Sequence, residues 1–142
     1  MQTNSAKPRV ALTVGDPSGI GPEIAAKAMA DPRVRAACEP VLYGPPDGER
    51  YEAGVLTAGA GRASYEVVVR AVRDAENRRV DAIATAPVNK HAWSLAGLEW
   101  KGHTELLADL TGSTRVAMLF WSEPLKVVLA TVHVPLAEVP AR

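Results

Sequence analysis

Cysteine is nearly absent from this sequence. Cys38 is the single one, so no intrachain disulfide framework is open to the chain, and a reducing compartment suits it. A lone cysteine of this kind reads first as a small, semi-buried side chain. Aromatic residues are also scarce, at 5% of the chain. Neither sign of charge is in excess, because 16 Lys and Arg balance 16 Asp and Glu. That balance excludes bulk nucleic-acid binding, which needs a basic face to neutralise phosphates. No apolar run approaches the ~20 residues of a membrane span. The opening residues, MQTNSAKPRV, lack the apolar core of a secretory signal. The expectation is a soluble, cytoplasmic protein with no nucleic-acid partner and no membrane partner.

What is present is one domain's worth of chain, 142 residues with 47% hydrophobic content. Val10 to Val14 is a short apolar run that ends in Gly-Asp-Pro, the pattern of a buried strand. Pro22 and Glu23 suit the first turn of a helix, which runs to about Ala30 and is closed by Asp31-Pro32. Pro40 to Gly44 is a second strand. From Gly44 to about Gly61 the chain is polar and rich in Gly and Pro, and reads as a short linker. A helix follows from Arg62, with Val68, Val72 and Ala75 on one face and Arg70, Arg73 and Asn77 on the other. Asp81 to Ala84 is a short strand, His91 to Ala96 a short helix ending at Gly97, and Thr104 to Gly112 a further helix. Arg115–Trp121 and Leu125–Thr131 read as two strands joined by a hairpin turn, which predicts a mixed sheet. Strands separated by helices predict an α/β fold with an open sheet, built as a single region over residues 1–142.

Three stretches carry chemistry. "GDPSGIGPE", Gly15 to Glu23, joins a strand to a helix, but matches neither phosphate-loop fingerprint: Ile20 stands where one needs glycine, and Ile24 where the other does. Gly19 and Gly21 let the backbone approach a ligand ahead of the helix N-terminus; the alternative is a tight turn with no ligand. In "TAPVNKHAWSLAGLEWKGHTELL", residues Thr85, Asn89 and Lys90 follow the carboxyl end of a strand, where open α/β sheets bind ligands. His103 and Thr104 stand at a helix start, placed to share an anionic substrate with the first N–H groups. Taken singly, Lys90 is as well explained by a solvated charge and Thr104 by an N-cap. His91 is left outside the site. In "VVLATVHVPL", His133 ends an apolar strand; it is either a structural histidine or one ligand of a metal that needs about three.

Together, "GDPSGIGPE", "TAPVNK", "GHTELL" and "LATVHVPL" stand in the order and setting found in the 4-hydroxythreonine-4-phosphate dehydrogenase family of vitamin B6 synthesis, which this chain resembles over nearly its whole length. The resemblance implies an open three-layer α/β/α architecture similar to isocitrate and isopropylmalate dehydrogenases, here incomplete. It implies oxidation of 4-phosphooxy-L-threonine by NAD or NADP to a 3-oxo acid that decarboxylates, on the way to pyridoxal 5'-phosphate. A divalent metal (Zn, Mg or Co) would polarise the reacting oxygen. His103 and Thr104 match the family's substrate-binding pair and His133 the first of its three metal histidines; the catalytic and cofactor-binding residues are not identified. A small phosphorylated substrate and a homodimer with the active site at the subunit interface are implied. Family relatives oxidise phosphorylated four-carbon sugar acids or aromatic-acid dihydrodiols, and the motifs do not separate these. The later metal histidines and substrate-binding Lys, Asn and Arg of the family have no counterpart here, and the segment from Gly44 to Tyr51 is shorter than the family's. The chain is therefore expected to correspond to the family's N-terminal half, truncated and internally shortened. A catalytically inactive fragment or interaction module is the reading from another class.

Overall fold

The computed structural model describes residues 6–46 and 49–141. Residues 47–48 of the predicted linker, and the first five residues read for a signal, lie outside the described residues. Strand β1 (Arg9–Thr13) is the centre of a three-stranded parallel sheet, with β2 (Glu39–Tyr43) on one side and β3 (Ala82–Thr85) on the other. Val10 is in register with both Pro40 and Ala82. Parallel neighbours need crossovers. α1 (Gly21–Ala30) and α2 (Pro32–Ala37) make the first and α3 (Ala58–Glu76) the second. Successive strand residues point to opposite faces. Ala11 packs with Ala71 of α3, whereas Leu12 shares a cleft with Ile24 and Ala25 of α1. The helices thus cover both faces, giving the three layers expected.

Local chemistry sets the boundaries. Asp31 adopts an extended ψ of 121° because Pro32 follows it, which ends α1. The same residue then caps α2, its carboxylate accepting from the Arg33 N–H at 2.8 Å. Helix α3 starts at Ala58 rather than Arg62, so the linker is shorter than expected and covers 44–57. Thr57 provides the start, its Oγ1 accepting from the Ala60 N–H at 3.0 Å. The Ala-Gly-Ala-Gly run is helical, and Gly61 closes on the next helix, α4 (Lys90–Leu95): a Cβ there would lie 2.1 Å from the Ala92 carbonyl oxygen. The main core is Val68 and Val72 of α3, Trp93 of α4 and Leu106 of α5 (His103–Leu110). Tyr65 stacks on Trp100 at its rim, ring centroids 5.2 Å apart.

The two later strands are shorter than expected. β4 (Leu119–Trp121) and β5 (Lys126–Val128) form an antiparallel hairpin in which Leu119 faces Val128 and Trp121 faces Lys126. They make a sheet of their own, so the expected single mixed sheet is corrected to two separate sheets. Nothing among the described residues covers this hairpin: Phe120, Trp121, Leu125 and Val128 are all exposed. Among the described residues the hairpin is held by the pairs it makes with itself, with Lys126 Nζ 4.4 Å from the Trp121 ring centroid. Among the described residues, no helix is long and apolar enough to cross a membrane.

Candidate functional site

The strand order β2-β1-β3 puts a topological switch between β1 and β3, and the crevice at their carboxyl ends is where an open α/β sheet takes a ligand. Two loops meet there. Ala86 N–H donates to the Thr13 carbonyl at 2.9 Å, and Asp16 N–H to the Pro87 carbonyl at 2.9 Å. Gly15 holds a φ of +65°, and a Cβ on it would sit 2.2 Å from the Pro87 oxygen. A Cβ on Gly21 would sit 1.7 Å from the Val14 oxygen. These two glycines are therefore needed for backbone packed on backbone. Asp16 is buried and its Oδ1 accepts from the Ser18 N–H at 2.9 Å. Asp16, Ile20, Asn89, Lys90 and His91 line an open cleft of about 480 Å³.

Of the polar residues expected here, Asn89 is committed to structure. Its Oδ1 accepts from the His91 and Ala92 N–H groups at 3.0 and 3.1 Å, capping α4. Lys90 is exposed and makes no ion pair with any described residue. Its ammonium lies beside Gly102, where a Cβ would be 3.9 Å from Nζ and 3.6 Å from Glu105 Oε2. Thr85 ends β3 and is exposed. His91, left out of the site by the sequence, does line the cleft.

Helix α5 begins at His103, with Gly102 as its N-cap and no side chain closing its first N–H groups. Thr104 is thus inside the first turn, and the N-cap explanation of it does not hold. Adjacent helical residues point about 100° apart, and the pair diverges. His103 is half-buried, with its ring edge-on to Trp93 at a centroid distance of 6.0 Å and an angle of 73°. Its Nε2 is buried with no hydrogen-bond partner. Burial pushes the imidazole pKa below the usual histidine value, which favours the neutral ring. Thr104 instead lines an apolar groove of about 460 Å³ with Val72, Ile83 and Leu107.

His133 lies five residues beyond the end of β5, in a bend with φ of +57°, exposed, and not at a strand end. Among the described residues, no group of three or more His, Cys, Asp or Glu side chains is disposed to hold a metal ion. One imidazole falls short of the roughly three protein ligands of a catalytic site. The donor set among the described residues does not fit a metal by itself. Sequence reasoning also missed Ser64 and Trp93, which are fully buried behind His103. A serine in mid-helix carries no motif, and only its place on the small-residue face of α3 sets it apart.

A family model described as pyridoxal phosphate biosynthetic protein PdxA matches residues 15–142. The 4-hydroxythreonine-4-phosphate dehydrogenase of Desulforapulum autotrophicum is 35% identical over 96% of this chain and 52% of its own length. That alignment runs over 176 positions, more than this chain's 142 residues, so the relative carries extra residues within the matched region. The D-threonate 4-phosphate dehydrogenase of Cupriavidus necator is 32% identical over 92% of this chain and 51% of its own. Among solved structures, a 4-hydroxythreonine-4-phosphate dehydrogenase from Burkholderia phymatum superposes with a TM-score of 0.87 at 29% identity, over 97% of this chain and 54% of that one. The chain spans about half the length of the curated relatives it matches.

Proposed function

The chain belongs to the pyridoxal phosphate biosynthetic protein PdxA family, and from that premise we propose that it supplies one part of a dehydrogenase acting on 4-phosphooxy-L-threonine, corresponding to the family's N-terminal half. The secondary alcohol gives up a hydride from carbon and a proton from oxygen, forming a 3-oxo acid. That acid then loses CO2, its C–C bond electrons passing to the α-carbon, which is protonated. NAD or NADP, when bound, supplies the hydride acceptor. The residues of this chain bind and orient. His103 and Thr104 contact the substrate from the start of α5, where the Lys90 ammonium beside Gly102 and the helix N-terminus attract a phosphate or carboxylate and the neighbouring Glu105 carboxylate opposes it. This juxtaposition of an unpaired cation with an uncapped helix start is the observation that carries the reading.

His133 is proposed as one ligand of a divalent ion (Zn, Mg or Co), with the remaining ligands outside the described residues, in a cytoplasmic homodimer. In the intact parent protein His133→Ala should greatly weaken metal binding by calorimetry, and unchanged affinity would remove that assignment; the 142-residue chain alone should bind the ion weakly. A second reading, oxidation of D-threonate 4-phosphate, is favoured by the Cupriavidus necator relative of that name. One experiment separates the readings: NADH and NADPH formation with 4-phosphooxy-threonine, D-threonate 4-phosphate and an aromatic-acid dihydrodiol as rival substrates, with and without divalent metal. Turnover of none of them supports the inactive-module alternative.

A further inference from the structure

Three helices meet behind His103 in a single line of contacts. Ser64 on α3 and Trp93 on α4 are both fully buried. The indole Nε1–H donates to Ser64 Oγ at 2.7 Å, and Ser64 Oγ donates to the Gly61 carbonyl at 2.8 Å. The polarity of this relay is fixed. An indole N–H can only donate, so the hydroxyl must accept from it and spend its own hydrogen on Gly61. The indole is thereby pinned at its polar edge, and His103 on α5 rests edge-on against the ring at 6.0 Å. The His103 imidazole makes no hydrogen bond among the described residues. Its Nε2 is turned inward and is unmet, which leaves Nδ1 as the nitrogen a ligand can reach. With no hydrogen bond to orient the imidazole, packing against Trp93 is what sets its angle.

We propose that Ser64, acting through Trp93, is a positioning residue for His103: it anchors the indole that holds the imidazole with Nδ1 toward the ligand and Nε2 inward. This rests on the reading that His103 contacts the substrate. Neither Ser64 nor Trp93 touches substrate in this arrangement. A purely space-filling role for Ser64 would leave the imidazole indifferent to whether the hydroxyl is present.

The test is nuclear magnetic resonance of the 142-residue chain, labelled with nitrogen-15 at His and Trp. In the native chain the Trp93 indole proton should be protected from exchange, and His103 should show one neutral tautomer with ring-to-ring contacts to Trp93. Ser64→Ala leaves the indole N–H without an acceptor; its exchange should become roughly tenfold faster, and the His103 ring signals should broaden or average. Trp93→Phe keeps an aromatic ring beside His103 but removes the N–H that Ser64 accepts, so in that background Ser64→Ala should no longer move the His103 signals. Because the two residues act in series, the double variant should perturb His103 no more than either single one. An unchanged His103 spectrum in Ser64→Ala, or effects that add in the double variant, would overturn the proposal. Addition of inorganic phosphate and of 4-phosphooxy-threonine tests the other assumption separately. A shift at His103 Nδ1 supports it. An unmoved His103 whose spectrum still depends on Ser64 overturns the substrate contact and not the coupling.

Discussion

Two glycines of α3 stand two residues apart and should answer the same substitution with opposite signs. At Gly61, alanine places its Cβ 2.1 Å from the Ala92 oxygen, 2.4 Å from the Ala92 carbonyl carbon and 3.0 Å from the Trp93 nitrogen. All three are backbone atoms, so no side chain can rotate out of the way. Non-bonded heavy atoms settle near 3.5–4 Å, so α4 would have to retreat by more than about 1 Å. Overpacking of this kind costs about 1–3 kcal/mol or more. With three backbone atoms in the way the cost sits at the upper end, about 3 kcal/mol; helix propensity from Gly to Ala returns about 1 kcal/mol, so the net expected loss for Gly61→Ala is about 2 kcal/mol. At Gly59, a Cβ meets only Thr57 Oγ1, at 3.8 Å, an ordinary contact. Gly59→Ala should therefore stabilise, by about 0.5 kcal/mol in the first turn. Urea unfolding followed by far-ultraviolet circular dichroism reads both values, and tryptophan fluorescence follows the displacement of Trp93. Equal stabilities for the two variants, or a gain at Gly61, would refute the claim that backbone contact fixes the α3–α4 distance.

Other consequences can be checked on the same chain. Asn89→Ala removes the cap of α4 and should cost about 1 kcal/mol, whereas Asn89→Asp should keep the cap and most of the stability; thermal melts distinguish them. The depressed pKa of His103 means that the unfolded chain takes up a proton before the folded one does. Stability should therefore decline as pH falls through about 6.5 and level off below the folded-state pKa. His103→Gln should flatten that decline in pH-dependent urea unfolding, and an unaltered slope would show that the ring is not protected. The bare apolar hairpin, with Leu119, Trp121 and Val128 on one face and Phe120 on the other, predicts association that grows with concentration. Light scattering after size exclusion reads it; a monodisperse monomer at every concentration, or no relief from Trp121→Lys with Phe120→Lys, would refute it.

The parts of the fold legible in the sequence are those governed by local chemistry. Gly-Asp-Pro, Pro22 and Asp31-Pro32 mark where β1 stops and where α1 begins and ends, and the structure follows them within a residue or so. The second use of Asp31, as the cap of α2, was not legible, because PRVRAA buries no residue and so has no apolar rhythm to betray a helix. The start of α3 was hidden for the opposite reason. Ala-Gly-Ala-Gly reads as flexible, and the reason for glycine there, the approach of Gly61 to Ala92, is tertiary and invisible along the chain. The hairpin strands looked longer than they are because apolar residues imply a cover, and none among the described residues lies over them. In the candidate site, His103 and Thr104 are neighbours in sequence, but helical geometry sends one to Trp93 and the other to a separate groove. Their joint use on one substrate therefore needs a ligand that spans both.

The separation of the hairpin from the parallel sheet has a kinetic side. The central strand finds its second partner, β3, only after a long closure: Arg9 N–H reaches the Asp81 carboxylate across 72 residues. The β4–β5 pairing, by contrast, closes over a turn of four residues, with Ser122 N–H donating to the Leu125 carbonyl. A hairpin of this kind forms in about 1–10 μs, whereas pairing at long sequence separation must first meet its loop-closure entropy and sets the slow step. The two sheets therefore belong to different cooperative units. Hydrogen exchange should show the β1 amides opening only with the whole domain, while those of β4 and β5 exchange through brief local opening. During refolding the hairpin would form and reopen many times, its apolar side chains unshielded, while β3 has yet to dock.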